Sequence, residues 1–341
     1  RDPDWPDLIL ARYDRLLAFD HAERRVLAVG RGADAKAAAL AADEAATWLA
    51  ASPGGADPGA LSLGLEPEAP PEAYETQVAA VVGRIRAGEI FQANIARAWR
   101  GRLRPGRIPF EVFERLARDS AAPYAAYWRL PGRALVSNSP ERFLALDAGG
   151  TVTAEPIKGT RPRDADPAAD AALASELADS PKDRAENLMI VDLMRNDLAR
   201  VCIPGSVRVE RLWGLQSFAN VHHLVSTVTG RVAPGADAAT LLQATFPPGS
   251  ITGAPKVQAM KVIAALEPPR GPWCGSLFLA GFDGTLEASV LIRTLALVED
   301  GQGWRFRTCA GAGVVADSDP EAERLETDAK LSALRRALTG R

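Results

Sequence analysis

The patterning of the chain predicts an α+β fold. Many strand-like runs read as antiparallel neighbours, and long helices separate them. No regular βαβ alternation runs through the chain. No GxGxxG follows a first strand, which argues against a dinucleotide-binding α/β enzyme. With 341 residues, 47% of them hydrophobic, the chain can bury one large core or two merged subdomains.

The elements follow in order. Leu8 to Val29 holds two β-like runs around Asp20-His21, a predicted hairpin. Lys36 to Leu49 is rich in alanine and predicts a helix. Ala51 to Pro71 is crowded with Pro, Gly and Ala and predicts a loop. From Glu72 to Ala87 the residues Val78, Val81, Val82 and Ile85 recur at helical spacing, and Gly88 is placed to end that helix. Glu89 to Trp99 alternates like a strand, with Gln92 and Asn94 on one face. Pro109 to Ala117 is a second amphipathic helix. Tyr124 to Leu146 predicts two or three antiparallel strands. A short β run at Thr151–Thr153 leads into Glu155-Pro156-Ile157-Lys158-Gly159-Thr160-Arg161-Pro162-Arg163. This stretch reads as a strand-end turn: Pro156 favours extended backbone before it, and Gly159 lets the chain approach a ligand closely.

Asp166 to Asp179 and Pro181 to Leu193 are predicted helices. Val207 to Leu212 and Ser217 to Val232 are predicted strands, the second carrying His222 and His223 on opposite faces. Ala236 to Ala244 is helical. Gly249 to Lys256 is a Gly-rich turn that opens a helix to about Leu266, and its exposed N–H groups favour an anion. Trp273 to Phe282, Ala288 to Val298 and Trp304 to Val315 are predicted strands. The last helix starts at Ser318, whose hydroxyl with Glu321 fits a capping box, and runs to about Leu338.

Net charge is −3, so nothing points to a nucleic-acid surface. Cys202, Cys274 and Cys309 are widely spaced and read as reduced thiols of a cytoplasmic protein. No membrane-spanning run or signal peptide is visible.

Chemistry concentrates at a few places. Lys158 is a nucleophile candidate if it can be held neutral. Asp183 and Glu186 share a face of one predicted helix, and Glu323, Glu326 and Lys330 share a face of another. Carboxylates offered from two helices suit Mg²⁺, which takes a few of them and leaves positions for a ligand's oxygens. Ala310-Gly311-Ala312-Gly313 permits close backbone approach. Arg293 lies in an apolar run and, pointing inward, needs an anionic partner. One of His222 and His223 faces inward. Together these features describe a site for a small dicarboxylate. No Ser-His-Asp or Cys-His-Glu series is visible, so the chain is not expected to hydrolyse glutamine itself.

The stretches PIKGTRPR, AENLMIVDLMRNDLARV, VHHLVSTV, GSITGAPKVQAMKVI, LIRTL and AGAGVVADSDPEAERLETDAK resemble the chorismate-utilising synthases, and most of all the aminodeoxychorismate synthase component I branch, which is related to anthranilate synthase component I. The resemblance runs from about Tyr13 to the end and is densest after Tyr74. It implies two antiparallel sheets packed as a sandwich, helices on the outside, and an active site between the layers. It also implies a partial N-terminal subdomain with its Pro/Gly-rich loop at 1–70 and a chorismate-binding catalytic domain at 71–341. The N-terminal region is shorter than in typical members, so an effector pocket built from it is expected to be incomplete.

Residue roles follow from the same resemblance. Lys158 corresponds to the lysine of the aminodeoxychorismate branch, where anthranilate synthases carry alanine. Glu141, in Ser139-Pro140-Glu141-Arg142-Phe143, corresponds to the general acid/base, and His223 to the site histidine. Glu186 and Glu326 correspond to Mg²⁺ ligands, with Asp183 and Glu323 behind them. Gly159, Thr160 and Thr252 fall at substrate positions. Trp273, Arg293, Gly313 and Lys330 fall where the enolpyruvyl group and its carboxylate are held. Gln92 stands where water-using isochorismate and salicylate synthases carry a lysine, which implies ammonia as the nucleophile, supplied by a separate glutamine amidotransferase subunit. The implied product is 4-amino-4-deoxychorismate, the precursor of para-aminobenzoate in folate biosynthesis. One departure stands beside Trp273: Phe278-Leu279 replaces the usual Gly-Tyr.

Overall fold

The computed structural model describes residues 2–50, 59–218 and 221–340. The chain divides into two compact units, Pro3–Asp57 and Pro58–Arg341. In the first, β1 (Arg15–Asp20) and β2 (Arg25–Gly30) form the predicted hairpin, paired from Arg15↔Gly30 to Asp20↔Arg25. Helix α1 (Ala35–Thr47) follows, capped by Asp34, whose carboxylate accepts from the Ala37 amide. Of the predicted Pro/Gly-rich loop, residues 51–58 lie outside the described ones. The Leu61 and Ser62 amides donate to the Leu338 carbonyl and tie residues 59–70 into the second unit.

The second unit begins with β3 (Glu66–Pro67), α2 (Pro71–Arg86), β4 (Gln92–Arg102), α3 (Pro109–Ser120), β5 (Tyr124–Leu130) and β6 (Arg133–Ser139). It continues with β7 (Arg142–Leu146), β8 (Thr151–Ala154), β9 (Ile157–Pro162), α4 (Pro167–Asp179), α5 (Pro181–Ala199), β10 (Arg208–Ser217) and β11 (Val221–Arg231). It ends with α6 (Ala238–Thr245), β12 (Gly253–Ala254), α7 (Lys256–Leu266), β13 (Ser276–Ala280), β14 (Leu286–Val290), β15 (Thr294–Asp300), β16 (Gly303–Val314) and α8 (Pro320–Thr339).

These strands make two seven-stranded antiparallel sheets. One has the order β10-β11-β8-β7-β14-β13, with β9 also on β11; the other has the order β12-β4-β16-β15-β6-β5, with β3 also on β4. The α+β sandwich expected from the sequence is therefore present. Its interior joins Phe143, Leu144, Val152, Val228 and Val290 of the first sheet to Cys309 of β16 in the second. Outside, α2 buries Tyr74, Val78, Val81 and Val82 on one stripe, and α8 buries Leu331, Leu334 and Leu338. All three cysteines are free and buried. Among the described residues no helix is long and apolar enough to cross a membrane.

Two crossings between the sheets shape the site. The chain leaves β6 in one sheet and enters β7 in the other through Pro140-Glu141. It returns from β14 to β15 through Leu291-Ile292-Arg293. The crossings are stitched together: the Asn138 amide donates to the Arg293 carbonyl at 3.0 Å, and the Val290 amide to the Glu141 carbonyl at 3.1 Å.

Four expectations change. Ala288–Val298 is not one strand but two, in different sheets, broken where Arg293 takes φ +52, a conformation few side chains adopt. Lys158 and Gly159 lie within β9 and not in a turn. Gly159 (φ +85) absorbs a register shift against β11 there. The last helix is capped by Asp319, which accepts from the Ala322 amide; Ser318 instead donates to Glu323 Oε1 at 2.6 Å. Helix α5 also extends past Leu193 to Ala199.

Candidate active site

β9 lays Lys158 across the gap between the sheets. A Cβ on Gly313 of β16 would lie 2.7 Å from Lys158 Nζ and 2.8 Å from Gln92 Nε2, so glycine leaves room for the ends of these two side chains. Lys158 Nζ is also 3.9 Å from Glu186 Oε2, and its side chain is only 14% exposed. Gln92 is fully buried, and neither end of its amide has a hydrogen-bond partner among the described residues. Such an orphan costs free energy unless something fills the space beside it.

Gly159 permits a second close approach. A Cβ there would meet Leu177 at 2.8 Å and Asp183 at 3.0 Å, so the start of α5 sits directly on β9. Asn187 locks this arrangement from α5. It donates to the Pro156 and Leu224 carbonyls and accepts from Ser226 Oγ. Asp183 pairs with Arg161 at 3.3 Å. Thr160 Oγ1 lies 2.9 Å from His223 Nδ1. Burial, then the Arg293 charge, push the His223 pKa down to about 4, so this imidazole is neutral near pH 7.

Glu141, at the first crossing, is buried. Burial pushes its pKa up to about 7 against the pull of Ser250, Lys158, Lys330 and Arg293. A carboxyl so placed can hold or release a proton near neutrality. Arg293 faces it from the second crossing, and burial lowers the guanidinium's own proton affinity. The inward arginine expected from the sequence is present, at a crossing instead of in a strand.

The turn before α7 forms another wall. Ser250 and Thr252 are buried there, and Thr252 Oγ1 donates to the Pro248 carbonyl at 2.9 Å. Lys256 at the start of α7 is ion-paired with Asp197 of α5 and donates to the Thr245 carbonyl. Trp273 is buried, with no partner for its Nε1 among the described residues, and its ring edge would lie 2.9 Å from a Cβ on Gly311. Phe278 packs partly buried against the core, whereas Leu279 points outward.

α8 closes the site. Lys330 Nζ pairs with Glu326 at 2.6 Å and donates to the Gly311 carbonyl at 2.9 Å. Burial, with the like charges of Asp183 and Glu326, raises Glu186 above the usual carboxyl range against Lys158 and Lys182. Burial likewise raises Glu323. Burial opposes ionisation of Glu326 too, but Lys330, Lys158 and Lys182 outweigh it and hold that carboxyl low. The Glu326 charge on α8 thus adds to the rise of Glu186 on α5, an effect that a cation shared by the two would offset. Among the described residues no three acidic, histidine or cysteine side chains close on one point. Of these carboxylates Glu186 and Glu326 are the ones that could hold Mg²⁺, an ion that needs only a few carboxylates.

The two histidines do face opposite ways. His222 Nδ1 lies 2.8 Å from Ser217 Oγ and its Nε2 2.9 Å from Asp170 Oδ1. The fold therefore assembles a Ser-His-Asp series that the sequence did not reveal. Its carboxylate is already taken by Arg163, through Nε and Nη2 at 2.8 Å each, and its imidazole is buried. The series staples α4 to the β10–β11 pair.

Comparisons with known proteins agree with this architecture. The family model described as chorismate binding enzyme matches residues 1–336. Aminodeoxychorismate synthase component 1 of Salmonella typhimurium is 41% identical over 336 residues, covering 98% of this chain and 71% of the relative. Anthranilate synthase component 1 of Aeropyrum pernix is 44% identical over 266 residues, 78% of this chain and 59% of that one. Among solved structures, anthranilate synthase component I from Streptococcus pneumoniae superposes with a TM-score of 0.82 at 28% identity, covering 94% of this chain and 72% of the other. A match over nearly the whole chain, with a fold that brings the sequence motifs to one cleft between two sheets, makes this protein a member of the chorismate binding enzymes.

Proposed function

We propose that the chain aminates chorismate with ammonia at the ring carbon para to the ring carboxylate, giving 4-amino-4-deoxychorismate. The observation that carries this is the position of Lys158, enclosed between the sheets against Gly313 and Gln92 and beside Glu186. In the reaction, Lys158 Nζ passes its proton to Glu141 and bonds to the ring carbon ortho to the carboxylate, and the two conjugated ring double bonds shift. The para C–O bond breaks as Glu141 gives its proton to the departing hydroxyl, which leaves as water. Ammonia then bonds to the para carbon, the two double bonds shift back, Lys158 departs as the neutral amine, and the extra proton on the new amino group returns to Lys158. Two easier displacements replace one hard one.

Neutral His223, with Thr160, orients the substrate side facing β9. Trp273, Arg293, Gly313 and Lys330 hold the enolpyruvyl group and its carboxylate, and Thr252 and Gly159 shape the remaining walls. Glu186 and Glu326, backed by Asp183 and Glu323, would hold Mg²⁺, which when bound supplies positive charge to the ring carboxylate. The nitrogen source is ammonia from a separate amidotransferase subunit, in keeping with the component 1 names of the relatives.

A second reading is ortho amination, as the name of the Aeropyrum pernix relative implies for that protein. Lys158 separates the two, since a lysine on the ortho carbon blocks ammonia there. The test is to incubate the purified chain with chorismate, Mg²⁺ and either ammonium or glutamine. Expected is a para-amino product from ammonium, converted to para-aminobenzoate by an added lyase, and none from glutamine alone. Anthranilate as the main product would overturn the reading.

A further inference from the structure

Arg270 lies in the Pro-rich link between α7 and β13, a composition that reads as exposed loop. Its side chain is instead 15% exposed and its partner Glu267 only 4%. Nε donates to Glu267 Oε2 at 2.7 Å and Nη2 to Glu267 Oε1 at 2.9 Å. Nη2 also donates to the Asn94 carbonyl at 2.6 Å, and Nη1 to the Ile251 carbonyl at 3.0 Å. The guanidinium carbon lies over the Trp273 ring, 5.1 Å from its centroid. Glu267 Oε1 in turn accepts the Ala96 amide at 2.7 Å.

These contacts complete an open strand edge. On this side of β4, β12 pairs with Gln92 and Ala93, and β3 with Trp99 and Arg100. Between them the Asn94 carbonyl and Ala96 amide face the Glu267–Arg270 pair in place of a strand, which satisfies groups that would otherwise be costly to bury. One ion pair therefore touches three walls of the cleft: β4 with Gln92 and Asn94, the turn with Ser250 and Thr252, and Trp273 against Gly311. Only a planar cation with donors in a fixed fork can reach two carbonyls and a carboxylate while stacking on a ring.

We propose that Arg270, oriented by Glu267, is a positioning residue for the chorismate site, setting the relative placement of β4, the Ser250–Thr252 turn and Trp273. The proposal rests on the chorismate reading above. Arg270 touches no substrate atom in this role; it decides how well the walls that hold chorismate fit together.

The test is steady-state kinetics with chorismate, Mg²⁺ and ammonium, with thermal unfolding measured in parallel, on the parent, Arg270→Lys and Arg270→Ala. Lysine keeps the charge opposite Glu267 but loses the fork and the stacking face. For Arg270→Lys, assayed well below its unfolding midpoint, KM for chorismate is expected to rise about tenfold or more while kcat stays within about threefold. Guanidinium ion at low millimolar concentration is expected to lower KM of Arg270→Ala towards the parent value, and potassium at equal ionic strength is not. If Arg270→Ala does not fold, Arg270→Lys decides. An unchanged KM in Arg270→Lys, with only the unfolding midpoint lowered, would overturn the proposal by making Arg270 merely structural. A parent that shows no saturation by chorismate would overturn the proposed function, and this inference with it.

Discussion

Replacing Glu141 by glutamine tests the link between burial and chemistry at the crossing of the two sheets. Glutamine keeps the size and polarity of the side chain and removes the proton it can give. Burial lifts the Glu141 pKa from 4.5 to about 7. A rise of that size equals about 3 kcal/mol of destabilisation once the group is charged. The folded value lies above the unfolded one, so this penalty is absent below about pH 4.5 and reaches its full size once pH has risen through about 7. Glu141→Gln is therefore expected to be more stable than the parent at pH 8.5, by a midpoint shift of about 5 °C, and to match it near pH 5. Differential scanning calorimetry of both proteins from pH 5 to pH 8.5 at constant ionic strength measures this. At a fixed concentration of unprotonated ammonia, kcat/KM of the parent should fall as pH rises through about 7, and the variant should lose a factor of about 10² to 10⁴ in rate. A variant less stable than the parent at pH 8.5, or a gap independent of pH, would refute the burial argument. Full turnover by the variant would remove Glu141 as the acid.

Other outcomes follow from the cleft. Glu186→Gln and Glu326→Gln should each abolish turnover with the fold intact by circular dichroism, and normal activity of either in the presence of a chelator would exclude them as magnesium ligands. Gly313→Ala places a methyl group 2.7 Å from Lys158 Nζ; it should lose at least about tenfold in kcat/KM, and unchanged kinetics would show that the lysine does not depend on this close approach.

Several features of the site could be read along the chain because they are local. The spacing of Asp183 with Glu186 and of Glu323 with Glu326 is a helix period, and the helices formed. The three glycines expected to allow close approach, Gly159, Gly311 and Gly313, are each where a Cβ would meet a neighbouring atom within 3 Å. What escaped was long-range. Val290 to Leu295 reads as one apolar strand because the strands on either side of Arg293 are both buried, and alternation does not mark where a chain changes sheets. Glu267 and Arg270 flank two prolines and read as loop surface; only the missing strand beside Asn94 and Ala96 gives them a buried role. Ser217 and Asp170 reach His222 from a neighbouring strand and a distant helix, a meeting that no motif encodes. Ser318 and Asp319 are both plausible caps by residue type, and the buried Glu323 draws the serine hydroxyl away.

The most direct test of the account is the position of the new amino group, determined by mass spectrometry and NMR for the products of the parent and of Lys158→Ala with chorismate, Mg²⁺ and ammonium. The account predicts a para-amino product from the parent, and from Lys158→Ala a loss of several powers of ten in para amination, with any residual activity shifted towards the ortho carbon. Undiminished para amination by Lys158→Ala would contradict the covalent role of Lys158, and anthranilate as the parent's main product would contradict the function itself.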